Sequence, residues 1–194
     1  SVDLLKRSSK TIKYKFPKNC PSCGSKVEKE YNYQTKKYDA VKRCTSEGFI
    51  CEKIAIEKIK HFVSKDALNI DGLGKKVVEK FWEKKFIRFP QDIFKLDYNK
   101  IKELDGWGQL SVNNLKYSIN KSKNITLSKF IFSLGIRHIG QENAKLIAKH
   151  LQNKEKFFKI DKKYNFNLFL NIDGIGEIQI SSIKKFFSIK ENLE

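Results

Sequence analysis

Apolar residues recur along this chain in short bursts, and each burst is followed by the same punctuation. FVSKDALNI at 62–70, YNKIKEL at 98–104, LSKFIFSL at 127–134 and NLFLNI at 167–172 are compact apolar segments. After each comes a tripeptide built on Gly-apolar-Gly: Gly72-Leu73-Gly74, Gly106-Trp107-Gly108, His138-Ile139-Gly140 and Gly174-Ile175-Gly176. In the third, His138 stands where the others have their first glycine. The starts at 72, 106, 138 and 174 are 34, 32 and 36 residues apart. Four positions beyond each second glycine is a small or aliphatic residue, namely Val78, Val112, Ala144 or Ile180. From there an amphipathic stretch continues, as in KKVVEKFWEKKF and QENAKLIAKHL. The pattern predicts a short helix, a tight turn and a second helix, written four times.

The residue types suit that shape. Glycine lets the backbone turn sharply and lets a partner approach closely. The apolar residue between the glycines anchors the turn in a core. At the start of the second helix, backbone N–H groups lack partners and the helix dipole favours negative charge. A phosphate oxygen is the natural occupant. Contacts of this kind ignore base identity, so binding is expected to be independent of sequence and sensitive to salt. The candidate DNA-contacting residues are Gly72, Gly74, Lys75, Lys76, Gly106, Gly108, Gln109, Arg137, His138, Gly140, Gln141, Gly174 and Gly176. The copies are unequal: Lys75 and Lys76 follow the first, whereas Glu177 follows the last. The first is expected to grip phosphate and the last mainly to pack. His138 is open to two readings, a phosphate contact or a packed neutral side chain. A spacing near 34 residues also suits helical repeats of the tetratricopeptide kind, but their Trp, Gly, Tyr and Pro pattern is missing.

All four cysteines lie in one region: Cys20 and Cys23 in CPSCG, then Cys44 and Cys51 in CTSEGFIC. Two close pairs separated by a hairpin-sized loop fit a tetrahedral Zn2+ held by four thiolates. Gly24 can supply the dihedrals that the first knuckle demands. The intervening EKEYNYQTKKYDAVKR alternates enough for two short strands. So small a region has little core, and the metal would supply much of its folding energy. Four protein ligands leave no open position, so the role is structural. Two disulfides, or four reduced thiols, are the other readings, and a reducing compartment disfavours the first.

Composition sharpens the partner. The 194 residues carry a formal charge of +18, and 40% are hydrophobic, enough for a real core. Such a field favours a polyanion. Only four of the 40 basic residues are Arg, and a lysine-rich composition is also what an AT-rich genome would write. No apolar run approaches the ~20 residues needed to span a bilayer, and no signal segment opens the chain. A cytoplasmic, nucleoid-associated monomer is expected. Met is absent and the first residue is Ser1, as expected of a piece of something longer.

The order of these parts resembles the C-terminal half of bacterial NAD-dependent DNA ligases. RCTSEGFIC at 43–51, KHFVSKDALNIDGLGKK at 60–76, SLGIRHIG at 133–140 and the Lys-Phe-Phe at 185–187 are similar to that family's run. SVDLLKRSSKTIKYKFPKNCPSCGS at 1–25 looks like the stretch that leaves its OB-fold domain. One departure is that six residues separate Cys44 from Cys51, where the family more usually has five. The resemblance implies a mainly α fold with three parts: a residual OB-fold end at 1–15, a four-cysteine zinc finger at 16–60, and four tandem helix-hairpin-helix motifs at 61–190. It also implies a parent enzyme that seals nicks in duplex DNA in replication and repair. NAD adenylates a lysine, AMP passes to the 5′ phosphate, and the 3′ hydroxyl displaces it. That lysine stands in a Lys-x-Asp-Gly motif of a separate N-terminal domain. The Asp-Gly pairs here follow Asn69-Ile, Glu103-Leu and Asn171-Ile, so none has the lysine. No catalytic residue is assigned in this chain. NAD and Mg2+ would bind outside it, on the adenylation and OB-fold domains that are its expected partners, together with nicked duplex DNA. Two other functions compete. One is a non-catalytic zinc and hairpin module of another repair or recombination factor. The other is a base-excision glycosylase using Asp92 or Asp97, whose iron–sulfur cysteines are spaced differently.

Overall fold

The computed structural model describes residues 6, 8, 11–12, 15–32, 35–163 and 166–193. The stretch expected to end an OB fold, 1–15, lies mostly outside them. The chain divides into two compact units, Ser1–Ser46 and Glu47–Glu194.

The first unit is built on one β-hairpin, β1 (Val27–Asn32) and β2 (Lys37–Cys44), paired antiparallel. Val27 faces Cys44, Lys29 faces Lys42 and Tyr31 faces Tyr38, with a register shift between Lys29 and Tyr31. Nearly every strand residue is exposed, so neither face has a hydrophobic layer. Alternation therefore made strands here without making a core. An isolated bridge from Asn19 to Lys26 carries the chain into β1.

The second unit is helical: α1 (Glu52–Val63), α2 (Lys75–Glu83), α3 (Tyr98–Lys102), α4 (Gln109–Lys121), α5 (Leu127–Ser133), α6 (Gln141–Leu151), α7 (Lys154–Lys163) and α8 (Glu177–Ser188). Among the described residues three 3-10 turns, Pro90–Lys95, Phe166–Phe169 and Lys190–Asn192, join the set. In α1 the buried residues Ala55, Ile56, Ile59, Phe62 and Val63 form the stripe that a 3.6-residue period predicts. Short helices are fixed at their first turn. The Asp97 carboxylate accepts from the N–H groups of Asn99 and Lys100 at the start of α3, and Thr126 Oγ1 accepts from Lys129 N–H in α5.

Two clusters of buried side chains organise this unit. One runs from Ala55 to Ile119 and contains the first two Gly-apolar-Gly turns. The other runs from Ile131 to Phe187 and contains the last two. The repeats are thus packed in pairs. His61 links the clusters, with Nε2 2.8 Å from the Phe132 carbonyl oxygen. No helix among the described residues is long and apolar enough to cross a membrane.

The segments before the four turns differ more than their sequences suggest. Helices α3 and α5 supply the second and third. Before the first turn, α1 ends at Val63 and residues 65–68 form turns, whereas the fourth is preceded by the 3-10 turn Phe166–Phe169.

Candidate nucleic-acid interface and metal centre

The four turns share one geometry. The first residue of each tripeptide takes positive φ: Gly72 at 90°, Gly106 at 82°, His138 at 60° and Gly174 at 87°. The N–H of the middle residue then donates to the carbonyl three residues back, from Leu73 to Ile70, Trp107 to Leu104, Ile139 to Ile136 and Ile175 to Ile172. These bonds span 3.0–3.3 Å. Leu73, Ile139 and Ile175 are buried, and Trp107 packs its ring 5.6 Å from that of Phe81. The third residue, always glycine, is the N-cap of α2, α4, α6 or α8. Its carbonyl accepts the first helical bond, from Val78, Val112, Ala144 or Ile180, and all four of these are buried. The aliphatic residue four positions on is therefore the first core residue of each second helix.

His138 has the backbone of the glycine it replaces. Its side chain is exposed rather than packed, and Arg137 Nε donates to its Nε2 at 3.1 Å. Its carbonyl accepts from Asn143 Nδ2 at 3.0 Å.

The N-terminal ends of the second helices differ in ways that bear on anions. A Cβ placed on Gly74, Gly108 or Gly140 would meet nothing within 4 Å, so the approach to these ends is open. Their N–H groups have no hydrogen-bond partner among the described residues. At the fourth turn, Gly176 N–H donates to Gln179 Oε1 at 3.2 Å. This end alone of the four has a side-chain acceptor on its N-cap N–H among the described residues. Charge runs the same way. The first turn of α2 holds Lys75 and Lys76 with no acidic residue, and that of α4 has no acidic residue. Glu142 stands in the first turn of α6, tied to Lys145 at 2.7 Å, and Glu177 in that of α8. Two lysines at a helix N-terminus oppose the dipole, at roughly 0.3–1 kcal/mol each. An anion seated on the turn would reverse that sign. Gln109 stays on the surface, its Nε2 donating to Asn113 Oδ1. Gln141, also exposed, opens α6 beside Gly140.

The four cysteines come together, with all their sulfur atoms within 4.8 Å of one another. Cys23 Sγ and Cys44 Sγ are 3.4 Å apart. Tetrahedral zinc with bonds near 2.3 Å sets sulfurs about 3.8 Å apart, so the grouping fits a four-thiolate metal centre. Local sequence explains the placement. Gly24, at φ 75°, closes a turn in which its N–H donates to the Cys20 carbonyl, and Cys20 N–H donates to the Ser25 carbonyl. Cys44 ends β2, and buried Cys51 is the N-cap of α1. All four are free thiols rather than disulfides.

Two serines that sequence reasoning passed over belong to this centre. Ser25 and Ser46 hydrogen-bond to Cys23, and together they lower its thiol to about 5. Ser46 also favours the Cys44 thiolate, but burial and the neighbouring Cys23 and Cys20 sulfurs outweigh it and raise Cys44. The two neighbouring sulfurs are thus pushed in opposite directions, as closely spaced thiols are. The signal for Ser46 was its place inside the second cysteine loop. The signal for Gln179 was the Gly-x-x-Gln spacing of half a capping box.

The carboxylates weighed for a glycosylase have other employment. Asp92 Oδ2 accepts from the N–H groups of Arg88 and Phe89, each at 2.8 Å. Asp97 caps α3.

Comparison with known proteins agrees with this reading of the parts. A family model described as a helix-hairpin-helix motif matches residues 129–194, which hold the third and fourth turns. The chain is 65% identical over 194 residues to the DNA ligase of Pelagibacter ubique. It is 44% identical over 200 residues to that of Ehrlichia chaffeensis and 39% over 209 to that of Rhizobium rhizogenes. These alignments take in 99–100% of this chain but only 29% of each relative, so it spans under a third of their length. Over its full length, then, the chain is similar to a segment of DNA ligases, and its own residues 129–194 match a helix-hairpin-helix motif.

Proposed function

We propose that this chain is the duplex-gripping portion of an NAD-dependent DNA ligase that seals nicks. The observation that carries this is the open, unpartnered helix N-terminus at three of four equivalent turns, on a chain of charge +18. Each turn offers backbone N–H groups to a phosphate oxygen, which needs no particular base. The first turn grips hardest because Lys75 and Lys76 add charge. The second follows, and Arg137 and His138 reinforce the third. The fourth, answered internally by Gln179, packs.

The four thiolates hold structural Zn2+, which lacks an open position for chemistry. No residue here adenylates or transfers. NAD and Mg2+ act on the adenylation and OB-fold domains of the same protein, in the cytoplasm. Holding both sides of a nick in register contributes to catalysis by positioning, the part of a barrier that oriented binding removes.

Duplex binding at several salt concentrations tests the grip. Three or more phosphate contacts give a slope of log K against log salt of about −2.7 or steeper. A slope near zero would show that phosphate does not dominate.

A further inference from the structure

The β1–β2 hairpin carries a face that neither metal binding nor the hairpin turns use. Across the strands Lys29 stands opposite Lys42, and Tyr31 opposite Tyr38. Like charges set directly opposite each other destabilise a ladder. Among the described residues neither lysine has a carboxylate within ion-pair distance, although acids lie close in sequence. Those acids sit on the other face. Glu28 stands opposite Arg43, and Asp39 Oδ2 holds Arg43 Nη2 at 2.9 Å. The two tyrosine rings meet edge to face with centroids 5.0 Å apart, yet 66% of Tyr38 and 36% of Tyr31 remain exposed. A core tyrosine would be covered, and a purely solvated strand would not segregate its charges.

We infer that this face binds an unpaired stretch of DNA strand, with Tyr38 stacking on a base and Lys29 and Lys42 taking the flanking phosphates. Charge complementarity calls for a polyanion, and the tyrosine selects which kind. Bases inside a duplex are already stacked on each other and present only backbone, whereas an unpaired base offers its ring face. The helical turns suit duplex, and the finger face suits single strand. The inference rests on the DNA-gripping role proposed above.

The test measures fluorescence anisotropy of the full zinc-loaded chain with an oligo-dT of about 16 nucleotides, the upper end of single-strand site sizes. A duplex of the same length and anionic phosphatidylserine vesicles are run alongside. Tyr38→Ala is expected to weaken oligo-dT binding about ten-fold, the loss of one stacked base, and to leave duplex binding unchanged. Tyr38→Phe, which keeps the ring, should bind as the parent does. The double variant Lys29→Gln/Lys42→Gln should make the oligo-dT salt slope shallower by about 1.4. Equal zinc content in all variants shows that the finger still folds. Unchanged oligo-dT binding in Tyr38→Ala would overturn the inference, as would retention on vesicles tighter than on oligo-dT. A parent chain that binds duplex but not oligo-dT defeats this inference alone. One that binds neither defeats the duplex grip as well.

Discussion

His138 explains how a glycine position in a repeat can lose its glycine. A residue there must take φ near +60 to +90°, which costs an L residue roughly 1–2 kcal/mol. The polar, short-armed His tolerates it better than most. Space decides the rest. A Cβ on Gly174 would lie 3.0 Å from Leu146 Cδ1, and one on Gly72 would touch Leu115 at 3.5 Å, whereas one on Gly106 would meet nothing. The second turn has room for a Cβ, and His138, the exception at the third, is exposed. His138→Gly should therefore raise the melting temperature by roughly 2 °C for a gain near 1 kcal/mol. Gly174→His, with both strain and the contact to Leu146, should lower it by more than Gly106→His does. A thermal melt that ranks these two the other way would remove the explanation. Gly74 poses a different question, because its φ of −65° asks nothing of glycine and its Cβ site is empty. Gly74→Val should thus fold normally and lose duplex affinity about ten-fold by blocking phosphate. Gly176→Val should change affinity by less than about two-fold, since Gln179 already accepts from the N-cap N–H there. Equal losses at the two glycines would mean that the turns do not differ in grip. The turn residues were legible in the sequence because their chemistry is local. The role of Gln179 was not, because a surface glutamine has many uses.

At the scale of elements, the second helix of every repeat was readable, since a Gly N-cap and a core residue four positions later are both periodic signals. The first helices were less so. NLFLNI falls in and after the 3-10 turn Phe166–Phe169 instead of forming an α-helix. SKDALNI became turns after α1, with Asn69 at φ 49°. That the repeats pack as pairs was invisible, because it depends on contacts between residues far apart, such as Asp71 N–H donating to Ser118 Oγ. The β-hairpin was legible from alternation, and its small size already pointed to the lack of a buried layer. If the four thiolates hold zinc as proposed, the hairpin should depend on it. Cys20→Ser or Cys44→Ser should abolish stoichiometric zinc and the near-ultraviolet signal of Tyr31 and Tyr38, while α1 through α8 keep their far-ultraviolet helicity. Metal analysis finding no zinc in freshly purified, reduced parent protein would contradict the four-thiolate centre.

For the whole molecule, net charge alone distinguished little, because lysine enrichment can come from base composition. Position gave it meaning. Lysines stand at the N-terminus of α2, where an isolated helix would resist them, and opposite each other in the β-hairpin, where a strand pair would. Both placements are unfavourable until an anion arrives. The chain is similar to under a third of a DNA ligase, and the grip on duplex is the role proposed for that part. The most direct measurement mixes this chain with the N-terminal adenylation and OB-fold part of an NAD-dependent ligase that adenylates but does not seal, and follows closure of a nicked duplex. The account predicts sealing restored by the parent chain, reduced about ten-fold by Gly74→Val, and absent with either part alone. Sealing no faster than that of the N-terminal part by itself, with both parts folded and zinc-loaded, would contradict it.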